Sequence, residues 1–106
     1  MHQFGVYRNR HAGTRKQYPL LLNVQSDLIA ETGTRVVVPM LPVPGEGPSP
    51  AMSGLAPVLE VGGQAYVLVV PLLAAVEVAG LGPAEADLSS ERATIMAALD
   101  ILISGI

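Results

Sequence analysis

A chain of 106 residues has the size of one domain, and its formal net charge of −3 disfavours general nucleic-acid binding. The absence of cysteine excludes disulfides and thiolate metal sites. Half of the residues are apolar but few are aromatic, so the core must be built from Val, Leu, Ile, Ala and Met, while eleven Gly and nine Pro favour short strands joined by turns.

The first apolar segments predict a β-hairpin. Strands are predicted over Gln3–Arg8 and Leu20–Gln25, with the polar residues Asn9–Gln17 as the loop between them. No acidic residue precedes Asp27, and four of the six basic residues lie in or beside this loop: Arg8, Arg10, Arg15 and Lys16. The sequence predicts a solvated basic hairpin tip, with a binding site for an acidic partner as the alternative.

The β-branched segment Thr34–Leu41 predicts a third strand. Because proline cannot donate a ladder hydrogen bond, Pro39 is expected at the end of this strand, at a sheet edge or at a bulge. The proline-rich segment Pro42–Pro50 is interpreted as a surface loop, with a recognition peptide as the less favoured alternative.

A second hairpin is predicted around Gly62-Gly63, because a two-residue turn of this kind needs positive φ at both positions. Its strands are predicted over Pro57–Val61 and Gln64–Val70, and Ala75–Val78 is a further short strand. Five or six strands without a crossover helix predict an antiparallel, partly closed barrel.

The last part of the chain changes to a helical period. Apolar residues spaced by four, three and four predict an amphipathic helix of about four turns, with Asp87 and Ser89 as candidate N-caps and Gly105 as its end. The predicted apolar stripe consists of Ile95, Leu99, Leu102 and Ile106, widened by Met96 and Ile103. Ile101 lies off the stripe, so part of the helix is expected to face a second subunit. The layout is α+β.

Few residues favour catalysis. The chain has no Gly-x-Ser-x-Gly motif and no glycine-rich phosphate loop with lysine. His2 and His11 are the only imidazoles and have no carboxylate nearby in sequence. We therefore expect no catalytic site, no metal and no cofactor. Because no signal-peptide pattern opens the chain and the apolar run 66–76 is too short to span a bilayer, we expect a cytoplasmic protein without membrane contact.

Short sequence matches in a fixed order run through nearly the whole chain and resemble the CcdB toxins. They are absent only from the loop over residues 42–52 and from an insertion near His11. The matching residues are Gln3-Phe4, Val6-Tyr7, Val24-Gln25-Ser26-Asp27-Leu28-Ile29, Arg35, Pro39, Pro57-Val58, Gly62, Val76, Val78, Gly82, Ala86-Asp87-Leu88-Ser89 and Gly105-Ile106.

The resemblance implies a homodimer of small SH3-like barrels with a C-terminal helix, related in fold to the MazF toxins. It implies the toxin of a type II toxin–antitoxin pair, not an enzyme, which binds the A subunit of DNA gyrase and traps gyrase on cleaved DNA. It also implies a cognate antitoxin whose disordered C-terminal region folds onto the toxin.

The resemblance further implies a gyrase-binding surface formed by Leu28, Ile29, Asp100, Ile103, Ser104, Gly105 and Ile106. At three of these positions the chain departs from the family: Asp100 replaces asparagine, Ile103 replaces phenylalanine and Ser104 replaces tryptophan. A tryptophan anchor contributes about 2 kcal/mol or more when it is a hot spot, which corresponds to about thirtyfold in affinity. The sequence therefore predicts weakened gyrase poisoning.

Two alternatives remain open. The first is a MazF-like ribonuclease that uses Arg8, Arg10, His11, Arg15 and Asp27 as base, acid and phosphate clamp, although the acidic balance and the few aromatic residues count against RNA binding. The second is an antitoxin-binding module that has lost gyrase poisoning because of Ser104.

Overall fold

The computed structural model describes residues 1–44 and 55–105, in which seven strands form one curled antiparallel sheet followed by a helix. The strands are β1 (Gly5–Asn9), β2 (Leu20–Asn23), β3 (Thr34–Pro42), β4 (Val58–Val61), β5 (Gln64–Leu68), β6 (Ala74–Glu77) and β7 (Leu81–Asp87), and the helix is α1 (Arg92–Ser104). Short 3₁₀ turns cover Val70–Leu72, Val78–Gly80 and Ser89–Glu91. The predicted α+β class, a partly closed antiparallel barrel with a C-terminal helix, is confirmed.

Strand β3 organises the sheet. The order is β4-β5-β3-β2-β1-β7, and β6 also pairs with β3. Residues 34–37 of β3 pair with β6 while residues 40–42 pair with β5, so this side of β3 has two partners in succession. Such a change of partner along one strand bends the sheet towards a barrel.

Both faces of the central strands are covered by apolar side chains. Because successive side chains of a strand point to opposite faces, Leu20 and Leu22 join the main core, whereas Leu21 joins a smaller cluster. Helix α1 closes the main core with Ile95 and Ala98, both fully buried. The smaller cluster contains Tyr7, Leu21, Val37 and Leu81, with Val76 packed against it.

Pro39 differs from the expectation that it lies at an end, an edge or a bulge. It is inside β3 and opposite Leu21 of β2. However, it falls between the residues of β3 that pair with β6 and those that pair with β5, and its carbonyl accepts a hydrogen bond of 2.9 Å from Val69 N–H. On the side of β3 that faces β5 and β6, no strand residue is paired with Pro39. The N–H that proline lacks therefore interrupts no strand pairing there.

The first hairpin begins later than predicted. Residues 2–4 form a turn in which Gly5 N–H donates to the carbonyl of His2 over 3.1 Å and Phe4 has a φ of +68°. Strand β1 therefore starts at Gly5 instead of Gln3 and continues to Asn9. In the second hairpin, Gly62 and Gly63 have φ of +59° and +84°, which confirms the predicted turn.

Strand β7 was not predicted. Its sequence contains Gly82 and Pro83 and no β-branched residue, so local propensity argues against a strand. It forms because it pairs with β1, and the pairing has two register shifts. A proline and irregular pairing are both tolerated at the edge of a sheet, where β7 lies.

The helix is preceded by the 3₁₀ turn Ser89–Glu91. The Asp87 carboxylate accepts hydrogen bonds from the Ser89 N–H, at 2.8 Å, and from the Ser89 hydroxyl. However, the N-cap of this turn is Leu88 and that of α1 is Glu91, and neither makes a side-chain capping bond, so the expectation of Asp87 and Ser89 as N-caps is wrong. Gly105 ends α1 with a φ of +76°, as predicted, and its N–H donates to the carbonyl of Ile101 over 2.9 Å.

The predicted apolar stripe of α1 is correct for Ile95, Leu99 and Leu102, with Met96 beside them. Ile103 does not widen the stripe, because its side chain is 78% exposed. The predictions for Ile106 and for residues 45–50 of the proline-rich loop lie outside the described residues. Within residues 1–44 and 55–105, none of the helical segments combines the length and apolar character that a membrane crossing requires.

Candidate functional site

Two segments carry the residues predicted for a protein-binding surface. Leu28 and Ile29 lie in the β2–β3 loop (residues 24–33), and their side chains are 90% and 52% exposed. Asp100, Ile103 and Ser104 lie in the last turns of α1, followed by Gly105, and all are exposed. These residues therefore form two patches, the loop patch (Leu28 and Ile29) and the helix-end patch (Asp100, Ile103, Ser104 and Gly105).

The residues before the loop patch hold its backbone in place. The Ser26 hydroxyl accepts a hydrogen bond of 3.1 Å from Leu28 N–H, and the Ser26 carbonyl accepts one of 3.0 Å from Ile29 N–H. The Asp27 carboxylate accepts a hydrogen bond of 2.8 Å from Gln3 N–H. The Ser26-Asp27 pair thus forms a turn that leaves the two aliphatic side chains facing outwards.

Gln25 ties the two ends of the loop together. Its Oε1 accepts a hydrogen bond of 3.0 Å from Val36 N–H in β3, and its Nε2 donates to the carbonyl of Ile29. From the far side, Arg35 Nη2 donates to the carbonyl of Ala30 over 3.2 Å. A loop fixed in this way has already lost conformational entropy, so binding a partner costs less.

The helix-end patch combines an exposed aliphatic side chain with negative charge. Ile103 and Asp100 are both exposed and are three residues apart on α1, which has no basic residue in its last turn. The unpaired carbonyls of a helix C-terminus carry partial negative charge. This end of the helix therefore favours a partner that presents a cationic group next to apolar surface.

Ser104 adds little to that patch. Its hydroxyl donates a hydrogen bond of 2.7 Å to the carbonyl of Asp100, one turn earlier in the same helix. The polar group of Ser104 is therefore occupied by its own backbone, and its side chain offers a partner only a small surface.

The basic hairpin tip agrees with the interpretation as a solvated loop. Its charged side chains are exposed, and Arg8 forms an ion pair of 3.0 Å with Glu85 of β7. The tip is held from inside by buried Asn9, whose Nδ2 donates to the Thr14 hydroxyl and to the carbonyl of Tyr18, both at 2.9 Å.

The residues considered for ribonuclease chemistry are not brought together. Asp27 is bonded to Gln3, before the start of β1, whereas Arg10, His11 and Arg15 follow its end. Because a strand rises about 3.3 Å per residue, the length of β1 separates the Asp27 carboxylate from the side chains of Arg10, His11 and Arg15. Among residues 1–44 and 55–105, no group of three or more His, Asp or Glu side chains could hold a metal ion.

A cavity of about 570 Å³ was missed by sequence reasoning. It lies beside the smaller apolar cluster, and Leu21, Val37, Pro39 and Val76 form part of its wall. Its lining includes Pro39, at the point where β3 changes its partner from β6 to β5, and His11 and Thr14 of the first hairpin loop. No local sequence pattern indicates such a change, since it depends on pairing between distant residues.

Sequence reasoning also missed Gln25 and Arg35 as residues that hold the loop patch. The signal that could have found them is the position of long polar side chains at the two ends of a short loop between paired strands.

Over residues 3–105, the chain matches the family model described as CcdB protein. The matched range covers the sheet, the β2–β3 loop and α1 to Gly105, and it confirms the resemblance found in the sequence.

Proposed function

The chain belongs to the CcdB family of toxins from toxin–antitoxin systems, and on this premise we propose that it binds and poisons the A subunit of DNA gyrase. The observation that carries the proposal is the exposure of three large aliphatic side chains on two ordered patches: Leu28, Ile29 and Ile103. They are three of the six large hydrophobic side chains that are exposed among the described residues. Single exposed aliphatic residues are common on protein surfaces, but here they coincide with the positions that the family resemblance assigns to the target.

The proposed mechanism is binding without catalysis. The aliphatic side chains of the loop patch and of Ile103 are buried against gyrase, and the negative end of α1 faces a basic group of the target. The toxin then stabilises gyrase on cleaved DNA through protein contacts. Ile106, the last residue of the proposed surface, lies outside the described residues and is included on the family resemblance alone.

We propose that poisoning is attenuated by Ser104. A serine whose hydroxyl is bonded to Asp100 leaves the centre of the helix-end patch without a large anchor. This observation also favours a second candidate function, a module that still binds its antitoxin but no longer poisons gyrase.

The family also supports a homodimer, a cognate antitoxin and a location in the cytoplasm, and we include all three in the proposal. On α1, Ile101 is half-buried and is not part of the main apolar core. A second subunit would cover this side chain. Light scattering at micromolar concentration tests the dimer, which a monomer mass would contradict.

The test of the proposed function is bacterial growth after induction of the gene. The wild-type chain and a Ser104→Trp variant are induced in a normal strain and in a strain with toxin-resistant gyrase. Growth arrest that resistant gyrase relieves supports poisoning, and arrest by the variant alone supports the attenuated or antitoxin-binding form. Arrest in both strains, or no binding of purified gyrase A subunit by either protein at micromolar concentration, would contradict the proposal. RNA integrity in the arrested cells then tests the ribonuclease alternative.

A further inference from the structure

The N-terminal turn, residues 2–4, lies between the β2–β3 loop and the start of α1. Phe4 N–H donates to the carbonyl of Asn23 over 2.6 Å, and Phe4 carbonyl accepts from Leu88 N–H over 2.8 Å. Asn23 is buried, and its Nδ2 donates to the carbonyl of His2 over 2.9 Å. The turn is thus bonded to the end of β2 on one side and to the segment before α1 on the other.

Within this turn, Gln3 contacts both elements that carry the proposed surface. Its N–H donates to the Asp27 carboxylate over 2.8 Å, and its Nε2 donates to the carbonyl of Val24 over 3.1 Å. Its Oε1 accepts from Arg92 Nη1 over 3.4 Å, and Arg92 is the first residue of α1. The three bonds of Gln3 therefore connect the loop directly with the helix.

The position of Gln3 is fixed by its neighbour. Phe4 is buried in the main core, with the positive φ that turns the chain into β1. The guanidinium of Arg92 lies 5.4 Å from the centre of the Phe4 ring, so the same arginine contacts both residues. Helix α1 is in turn anchored by buried Ile95 and Ala98.

We infer that Gln3 is a positioning residue that sets the loop patch against the helix that carries the helix-end patch. The inference rests on the proposed function, because it assumes that one target binds both patches. A rigid target gains from two patches only if their separation is correct before binding, since ordering a loop on binding costs free energy. Gln3 is partly exposed and is not part of either apolar cluster, so its hydrogen bonds, and not core packing, give it this role.

Three substitutions separate the contacts of Gln3. Gln3→Ala removes the bonds to Val24 and Arg92 but keeps its N–H bond to Asp27. Asp27→Ala removes only the bond to Gln3 N–H, and Asp27→Asn restores an oxygen that accepts it. The matched control is Gln64→Ala, because the Gln64 side chain likewise makes two hydrogen bonds, from Nε2 to the carbonyls of Val43 at 2.9 Å and Ala65 at 2.8 Å, and Gln64 lies in β5 outside both patches.

The first measurement is ¹⁵N relaxation of the free protein, which needs no target. In the wild type, we expect backbone order parameters of about 0.85 at Leu28 and Ile29. In Gln3→Ala and Asp27→Ala we expect lower values at both residues, although their bonds with Gln25 and Ser26 remain. Asp27→Asn and Gln64→Ala should keep the wild-type values at these two residues. Unchanged order parameters in both Gln3→Ala and Asp27→Ala would overturn the inference, and so would an equal loss of order in Gln64→Ala.

The second measurement is the affinity of the same variants for purified gyrase A subunit. For each lost hydrogen bond we expect about fivefold weaker binding, with no change in Gln64→Ala. If the wild type does not bind gyrase, the proposed function fails, while the relaxation data still decide whether Gln3 orders the loop. If the loop loses order and the affinity does not change, the positioning role in target binding is overturned.

Discussion

The hydroxyl of Ser104 donates a hydrogen bond of 2.7 Å to the backbone carbonyl of Asp100, so the serine is directed at its own helix. The next residue, Gly105, uses its N–H to bond the carbonyl of Ile101. Together the two bonds close the last turn of α1 and leave a small side chain at the centre of the helix-end patch. This position is the one at which a single substitution is expected to change binding most.

Ser104→Trp should strengthen the binding of the gyrase A subunit. Residue 104 is exposed, so an indole can extend from the helix without disturbing the core. A hot-spot tryptophan contributes about 2 kcal/mol or more, so we expect about thirtyfold tighter binding. Titration calorimetry of both proteins with purified gyrase A subunit measures the difference.

Ser104→Ala is the control for this prediction. It removes the bond to Asp100 but adds no anchor, so we expect affinity within about twofold of the wild type, because this bond lies within α1 and alanine offers a partner a similarly small surface. If alanine strengthened binding as much as tryptophan, the effect would come from the freed carbonyl of Asp100 and not from the indole.

Substitution of two isoleucines of α1 should change the stability of the fold by very different amounts. Ile95 is fully buried, so Ile95→Ala should lower the free energy of unfolding by about 2–5 kcal/mol. Ile103 is mostly exposed, so Ile103→Ala should change it by less than about 0.5 kcal/mol. Urea denaturation of the two variants measures this, and equal destabilisation would contradict the arrangement of the helix.

The sequence was sufficient for the helix, because the spacing of Ile95, Leu99 and Leu102 places them on one side of α1. The prediction of Ile103 as part of the apolar stripe was wrong. At 3.6 residues per turn, this residue is rotated by about 80° around the helix axis from Ile95. An apolar residue at that angle can face the core or a partner. Only the limits of the core, which depend on the whole sheet, decide between the two.

Strand β7 and Pro39 show why the remaining fold was not predictable. Residues 81–87 form a strand because β1 lies beside them, not because of their own propensity. Pro39 is tolerated because β3 changes partners at that point. Both features depend on contacts between distant residues, and the same is true of the bonds from Gln3 to the β2–β3 loop and α1. The resemblance named candidate surface residues, of which Leu28, Ile29 and Ile103 are exposed, but it did not indicate the side chains that hold the β2–β3 loop.

The stability that the Asp87 carboxylate contributes to the fold should be lost in acid. Hydrogen bonds from the Ser89 hydroxyl and then the Ser89 N–H, with a smaller contribution from nearby His2, hold the pKa of the Asp87 carboxyl below its ordinary value of 3.8. A lowered pKa in the folded state gives stability that is present above 3.8 and is lost as the pH falls through the folded value. Asp87→Asn should therefore flatten the decline in stability below about pH 4. Denaturation curves across this range measure it.

Ser89→Ala tests the cause of that pKa shift. It removes the hydroxyl, which contributes most to the shift, and keeps the N–H. The pKa of Asp87 should then rise towards its ordinary value. A carboxyl NMR titration that gave the wild-type pKa for Asp87 in this variant would assign the shift to other contacts.

Leu28→Ala should weaken target binding without weakening the fold. The Leu28 side chain is 90% exposed, while the hydrogen bond that holds this residue comes from its backbone N–H to Ser26. Its removal should leave the free energy of unfolding within about 0.5 kcal/mol. Loss of a buried interface contact of about 1–2 kcal/mol weakens the affinity for the gyrase A subunit by roughly tenfold.

Val58→Ala is the matched control, because Val58 is another exposed aliphatic residue, on β4 and outside the two patches. Val58→Ala should leave the affinity for the gyrase A subunit unchanged. Any loss of affinity in this variant measures the general effect of removing exposed apolar surface and is subtracted from the effect of Leu28→Ala. If both variants bound equally well, the loop patch would lie outside the interface and the helix-end patch alone would have to account for binding. If both lost affinity equally, the target would contact β4 as well, and a surface restricted to the β2–β3 loop and the end of α1 would be wrong.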